Sequence, residues 1–487
     1  MTVQIAAQPR PRHRRRRWPW LLSLTLASLL AACSSGTAPA TAVPTASPAS
    51  SGGAAQTAAP AATTATTAAT PLGGSATTTR TGTATTGATT GTTSTPQVAQ
   101  GATATRGTAT SAAGTPLPAS AGPPQQQTIR VPTKQGQAEP TQERTITLPA
   151  GFQISVYAAG LGQARLMIWS PEGALVVSEQ GTTNGRVSLL TDRDGNGTAD
   201  ERITFAQGLR NPHGLAFRDG YLYVAAENQV VRYRWQGGAA AQGNPEVVIP
   251  NLPTSGHATR TIGFGPDGKL YLAVGSSCNV CTEQDARRAA IYQYNADGSG
   301  GRLYARGLRN AVGFVWQPDT GALWATNNGR DGLGDDTPPE TINLVRDGAD
   351  FGWPYCHSGR IADPQFGKQG SCANTARPSF EMQAHSAPLG LAFYTGQNFP
   401  SDYSGDLFVA FHGSWNRSTP TGYKIVRARF QNGQPTGQTE DFATGWLPND
   451  SRSSWGRPVD VSVGPGGSLY VSDDALGVIY RISYAGR

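Results

Sequence analysis

A six-bladed β-propeller carried behind a long polar leader is the fold class this sequence predicts. Three observations predict it. One strand–turn–strand phrase returns six times after residue 145, no amphipathic helix of useful length interrupts the copies, and residues 34–143 hold almost no large apolar side chains. The 487 residues are 38% hydrophobic and only 15% charged, with 60 glycines and 35 prolines, which reads as an ordinary core diluted by a low-complexity third.

Taken from the N-terminus, Arg10, Arg12 and Arg14 to Arg17 form a cationic head before the apolar run Leu21 to Ala32. Roughly a dozen apolar residues are too few to cross a ~30 Å hydrocarbon core, so residues 1–32 read as an export signal. The run ends in Leu30-Ala31-Ala32-Cys33, which resembles a lipobox, with Cys33 as the nucleophile that takes a thioether-linked lipid. The expected location is therefore the extracytoplasmic face of the membrane, held by the N-terminal lipid. Much of the formal charge of +7 sits in the arginine head that export would remove, and no other dense Lys/Arg run follows. Nucleic acid is not an expected partner.

Residues 33–143 are mostly Thr, Ala, Ser, Pro and Gly, and cannot bury enough surface to offset their backbone entropy. They are expected to be a disordered tether, with folding beginning near Thr145-Ile146-Thr147-Leu148 and the propeller filling residues 144–487. The six phrases run from Met167 to Ser178, Gly214 to Ala225, Ile262 to Leu272, Val312 to Ala325, Leu389 to Ala410 and Val459 to Ser472. Each is an apolar strand, an Asp/Gly turn and a second apolar strand, the signature of a hairpin. Third strands follow at Gln229 to Arg234 and Lys424 to Arg429. Residues 145–158 are expected to lend a strand to the last blade and close the ring.

Chemistry in a propeller gathers where the loops of all blades meet, so the polar residues after each second strand are candidates: Glu179-Gln180, Glu227-Asn228, Ser276-Ser277, Asn327-Asn328-Gly329, His412-Gly413 and Asp473-Asp474. Beside them, His213 in Asn211-Pro212-His213-Gly214 is a candidate to project into the same channel. For any one of them, a strand that simply ends in a polar residue is the simpler account.

Several phrases carry a resemblance. Ser255-Gly256-His257 ahead of Gly265-Pro266-Asp267-Gly268, Gly307-Leu308-Arg309-Asn310, Asn343-Leu344-Val345 with Asp350-Phe351-Gly352-Trp353-Pro354, and His412-Gly413-Ser414-Trp415-Asn416-Arg417 resemble the soluble pyrroloquinoline-quinone (PQQ) glucose dehydrogenase and sorbosone dehydrogenase family. The similarity runs from about Thr145 to the end of the chain. It implies PQQ- and calcium-dependent oxidation of an aldose or related sugar aldehyde. His257 matches the family's general base, since a neutral imidazole takes the hydroxyl proton while the adjacent hydrogen leaves as hydride. Arg309 and Asn310 match the pair at the quinone edge, and Arg457 matches an arginine paired with a cofactor carboxylate. His412 and Arg417 are both candidates to replace a family lysine, and spacing does not choose between them. The carbonyls of Gly329 and Arg330 match the calcium ligands, with Asp335, Asp336 and Glu340 resembling acidic ligands of a second calcium. Gly256 stands where the glucose enzyme has an acid, which leaves the sugar open.

With Cys33 lipidated, Cys278, Cys281, Cys356 and Cys372 remain, and local pairs Cys278–Cys281 and Cys356–Cys372 are the simplest of three connectivities. Thr282 stands where haem attachment would need a histidine, so electrons are expected to leave to an external quinone or cytochrome. The loop Asp192-Arg193-Asp194-Gly195-Asn196-Gly197-Thr198-Ala199-Asp200 resembles the start of an EF-hand, but Ile203 replaces the bidentate glutamate, so a plain hairpin loop and a calcium loop both stay open. Two other functions are carried alongside the dehydrogenase: a calcium-dependent sugar-lactone hydrolase and a non-catalytic surface binding propeller.

Overall fold

The computed structural model describes residues 123–486. The expected signal peptide (1–32), Cys33 and the tether as far as residue 122 lie outside the described residues.

Each of the six phrases forms the first two strands of a four-stranded antiparallel sheet. Blade 1 runs Gln163–Trp169, Leu175–Gln180, Gly185–Thr191 and Glu201–Leu209. Blade 2 follows with Gly214–Arg218, Tyr221–Ala226, Gln229–Arg234 and Glu246–Ile249. In blade 3, Arg260–Phe264, Leu270–Val274, Ala290–Tyr294 and Arg302–Arg306 gain a short parallel edge, Ala349–Asp350. Blade 4 comprises Phe314–Trp316, Leu323–Asn327, Glu340–Val345 and Phe380–Met382, and blade 5 comprises Pro388–Phe393, Leu407–Phe411, Lys424–Gln431 and Gln434–Ala443. Only two short 3-10 turns, Gly367–Gln369 and Ser401–Tyr403, interrupt the strands among the described residues.

The first strands of neighbouring blades touch all the way round the ring and line an axial cavity of about 490 Å³. They are therefore the innermost strands. Second strands are sandwiched between adjacent blades, which is why Leu270–Val274, Leu407–Phe411 and Leu469–Asp473 are buried at every residue and the first two read as continuous apolar runs. Outer strands such as Gln434–Ala443 are mostly exposed and mostly polar. Edge-to-face aromatic pairs join the blades: Tyr223–Phe264 at 5.0 Å, Tyr271–Trp316 at 5.2 Å and Trp169–Tyr470 at 4.9 Å.

Blade 6 is built from both ends of the ring. Pro458–Val463, Leu469–Asp473 and Val478–Tyr484 accept Phe152–Ala158 as their outer strand, so the expected closing strand falls within residues 145–158. The expected start of folding needs correction. Gln125–Pro132, assigned to the tether, pairs antiparallel with Thr141–Leu148, and this hairpin meets blade 5 through a Thr147–Thr444 bridge. Ile129, Val131, Ile146 and Leu148 alternate toward the core that also holds Phe152 and Trp446. Two apolar residues on one face are enough for a strand that borrows a ready-made core, and too few to stand out from a polar leader by composition. The hairpin turn is pinned by Gly136 N–H to Leu161 O (2.9 Å) and by the Gln135 side chain donating to Asp474 O.

Candidate active site

Every first strand begins, and every second strand ends, at one face of the ring, here called the mouth. Loops 275–289, 328–339 and 412–423 of blades 3, 4 and 5, and the connection 444–457 into blade 6, are the long ones at this face.

His257 precedes the first strand of blade 3. Its Nδ1 lies 2.9 Å from Ser276 O, and a carbonyl can only accept, so Nδ1 carries the proton. Nε2 is then the lone-pair nitrogen, and no described residue hydrogen-bonds to it. Burial, followed by the positive charges of Arg309, Arg288 and Arg260, pushes the imidazole pKa down to about 4. The ring is neutral at pH 7, as a proton acceptor must be. Asn310 stands beside it because Gly275 has no side chain: a Cβ there would collide with Asn310 Oδ1 and His257 Cβ. Asn310 Oδ1 itself is buried without a hydrogen-bond partner among the described residues.

Arg309, 5% exposed, donates from Nε to Asn279 O (2.9 Å) and from Nη2 to Asn279 Oδ1 (3.0 Å) and Asp331 Oδ2 (2.9 Å). Asp331 also accepts from Asn416 Nδ2 at 2.9 Å, which ties the loop of blade 4 to that of blade 5. Farther along blade 5's loop the direction of pairing changes. His412 Nε2 lies 2.9 Å from Asp474 Oδ1, and Arg165 reaches Asp474 Oδ2 at 2.6 Å. Burial alone would raise the Asp474 pKa, but His412 and Arg165 hold it well below the usual carboxylate range, so the carboxylate accepts and His412 donates. Arg457 makes one long hydrogen bond, Nε to His412 O at 3.4 Å, and no ion pair among the described residues. It lines a cavity of about 480 Å³ with Arg417, Arg452, Tyr423 and Trp415. Trp415 is 78% exposed. The mouth thus offers a neutral base, a cation with no anion and an orphaned amide oxygen, fed by loops of four blades.

A TrAA12-like family model matches residues 146–485, nearly the whole ring. The chain belongs to the TrAA12-like family. It is 30% identical over 362 residues to an uncharacterized Borreliella burgdorferi protein, covering 70% of this chain and 91% of that one. It is 25% identical over 402 residues to the pyrroloquinoline quinone-dependent pyranose dehydrogenase of Coprinopsis cinerea, covering 68% of this chain and 54% of that protein, so it spans about half that relative's length. Among solved structures, the holo form of the PQQ domain of the Coprinopsis cinerea pyranose dehydrogenase superposes with a TM-score of 0.61 at 22% identity, over 73% of this chain and 98% of that domain. That likeness bears out the six-bladed fold.

The TrAA12-like ring brings some expected site residues together and separates others. Gly329 and Arg330 stand between Asn328, whose carbonyl faces Arg309 at 3.4 Å, and Asp331. Neither Gly329 O nor Arg330 O accepts a hydrogen bond from a described residue, so two consecutive carbonyls are uncommitted, a donor set that suits a hard cation. The acidic residues expected to hold a second calcium do not converge. Glu340 is 3% exposed and accepts Gly329 N–H at 2.6 Å, with burial pushing its pKa up to about 7. Asp335 instead accepts Ser418 N–H at 3.0 Å, and Asp336 pairs with Arg417 at 3.2 Å. These contacts arise because the loops of blades 4 and 5 face each other, which spacing within one loop does not reveal.

The lysine substitute is corrected in the same way. Arg417 is committed to Asp336, Asp335 O and Ala384 O, and His412 is a neutral donor to Asp474, so neither is a free cation. His213 is fully buried, and neither ring nitrogen meets hydrogen-bond geometry with a partner among the described residues. Burial and the charge of Arg165 push its pKa well down, with Arg260 and Asp474 also near it. Groups from blades 1, 3 and 6 thus surround this blade 2 side chain. Cys278 is bonded to Cys281, and Cys356 to Cys372. Asp192, Asp194 and Asp200 lie close enough to share a cation, but in the turn between the outer strands of blade 1, at the face away from the mouth. Asn279, Asp331, Asn416 and Trp415 went unassigned in the sequence. The available signals were Asn279's place inside Cys278-Asn279-Val280-Cys281 and the place of Trp415 and Asn416 inside the phrase His412 to Arg417.

Proposed function

We propose that this chain oxidises a pyranose or related aldose with bound PQQ and calcium, His257 acting as general base. The neutral His257 with an open Nε2, set beside Asn310 and Arg309 in a TrAA12-like ring, is the observation that carries this reading. The PQQ dependence named for the Coprinopsis cinerea relative supports it. Bound quinone supplies a two-electron acceptor, and calcium would polarise it.

The chain's own residues do the rest. Nε2 of His257 removes the sugar hydroxyl proton as the hydrogen on the same carbon departs with its electron pair. Nδ1, tied to Ser276 O, keeps the ring in the accepting tautomer. Arg457 would pair with a carboxylate of the anionic cofactor, and Arg309 with Asn310 would face its reactive edge. Gly329 O and Arg330 O would hold the calcium. An external quinone or cytochrome would take the electrons onward, and a lipid on Cys33 would anchor the ring outside the cytoplasm.

Reconstitution tests the reading. Purified protein given PQQ and Ca²⁺ should reduce a redox dye with at least one sugar from a pyranose panel. No dye reduction, under conditions that activate a known PQQ dehydrogenase, rejects it.

A further inference from the structure

We infer that Asn279 is a positioning residue for Arg309, and that the Cys278–Cys281 disulfide holds Asn279 where it can act. The inference rests on the quinone reading for its ligand only, because the contacts stand without it.

Arg309 is a nearly buried cation, and such a charge is costly unless paired and fully hydrogen-bonded. Asn279 supplies both a backbone and a side-chain acceptor to it, at 2.9 and 3.0 Å. The same amide also grips the counterion. Asn279 Oδ1 accepts Asp331 N–H at 2.8 Å, while Nδ2 donates to Asp331 O at 3.0 Å. Three of the four hydrogen-bonding positions of this amide are therefore spent on Arg309 or on the residue that neutralises it. The indole of Trp353 adds a bond to Asn279 O at 3.3 Å.

A loop residue would not keep this pose by itself, since loop backbone is conformationally free. Here the disulfide closes a four-residue ring around Asn279, and Ser276 Oγ donates to Cys278 O at 2.6 Å. The same hydroxyl lies 3.1 Å from His257 Nδ1. One short path thus runs from the base, through Ser276 and the disulfide ring, to the arginine beside it.

The test compares Asn279→Ala, Asn279→Asp and the double variant Cys278→Ser/Cys281→Ser with the parent protein. Quinone affinity is read by fluorescence quenching, thermal stability by calorimetry, and His257 by NMR titration of quinone-free protein. Asn279→Ala should weaken quinone binding about ten- to hundred-fold, the usual effect of losing hydrogen bonds to a charged group. It should also raise the His257 titration toward an ordinary histidine value as Arg309 moves away, leaving Arg288 and Arg260 as the remaining cations facing the ring. Asn279→Asp keeps the oxygens and should recover part of both effects. The double serine variant keeps Asn279 but opens its ring, and should shift both readouts in the same direction by less.

Folded Asn279→Ala protein with unchanged affinity and unchanged titration overturns the inference. If Asn279→Ala does not fold, unchanged readouts in the serine variant overturn it. If the parent itself fails to bind quinone, the proposed function falls, and the quinone-free titration still decides whether Asn279 positions Arg309.

Discussion

The mouth loops of blades 1 and 2 and those of blades 3, 4 and 5 grow from the same strand ends, yet they spend their polar residues differently. In blade 1, Glu179 ends the second strand and is consumed locally: Arg186 reaches it at 2.9 Å and Arg202 at 2.7 Å. Burial alone would raise its pKa, but the bonds from Arg186 and Ser188 hold the carboxyl below its ordinary value. Glu227 of blade 2 is likewise held by Arg210 at 3.0 Å and Asn211 at 2.8 Å. Loops 181–184 and 227–228 are short, and Glu227 meets a strand of another blade through its backbone, Arg260 Nε donating to Glu227 O at 3.1 Å. In blades 3 to 5 the pairing crosses between blades, as Asn279 with Arg309 and Asp331 with Asn416 show. Position in the repeat therefore does not assign function. The partners each residue meets do: the long loops reach across blades, and even in the short turn after blade 6's second strand Asp474 meets His412 of blade 5 and Arg165 of blade 1.

Substitutions on the two sides should separate cleanly. His257→Ala should cut turnover about 10²- to 10⁴-fold, the range for loss of a general base, with quinone affinity nearly unchanged. Turnover within tenfold of the parent would remove His257 from that role. Arg457→Ala should weaken quinone binding by about 2 kcal/mol, and Arg457→Lys should restore only part, because lysine lacks the bidentate fork. Equal binding by both variants would place the cofactor elsewhere. On the short-loop side, Glu179→Gln should lower unfolding stability by about 1–3 kcal/mol while kcat/KM stays at the parent value. A fall in kcat/KM as large as that of Arg457→Ala would break the comparison.

The pH profile is a subtler test. His257 has a folded pKa depressed to about 4, so it stays neutral and competent from neutral pH down to that point. The acid limb of kcat/KM in the free enzyme should accordingly fall near pH 4, and Arg309→Ala should move it upward, toward the ordinary histidine value of about 6.5. The sign for stability follows. Depression below the unfolded value means that His257 opposes folding more as pH falls from about 6.5 toward 4, so its contribution is a loss of stability in that window. Smallest of all, Trp415→Ala should change stability by no more than about 0.5 kcal/mol, since the side chain is mostly in solvent.

Much of the ring was legible in the sequence. The six phrases fall on the first two strands of the six blades because second strands are buried on both faces, and that burial demands unbroken apolar runs. Gln125–Pro132 was not legible, since its two inward residues pack against a core that other segments supply. At the mouth, His257, Arg309 and Asn310 stood in recognisable phrases. Asp331 did not, because its meaning lies in Asn279, Arg309 and Asn416, which arrive from three separate loops. Asp335, Asp336 and Glu340 failed as a set for the same reason: neighbours in sequence took partners on opposite sides of the loop.

Blade 6 also fixes how the molecule can be handled. Val478 leaves the mouth and Tyr484 pairs with Phe152 at the opposite rim, where Pro123, Gly151 and Gly486 line one shallow depression. Both ends of the described chain therefore leave from the back of the ring. An electrode linker, affinity handle or reporter attached at either end would grip the protein from behind, and the entrance would stay open to sugar and to redox partners.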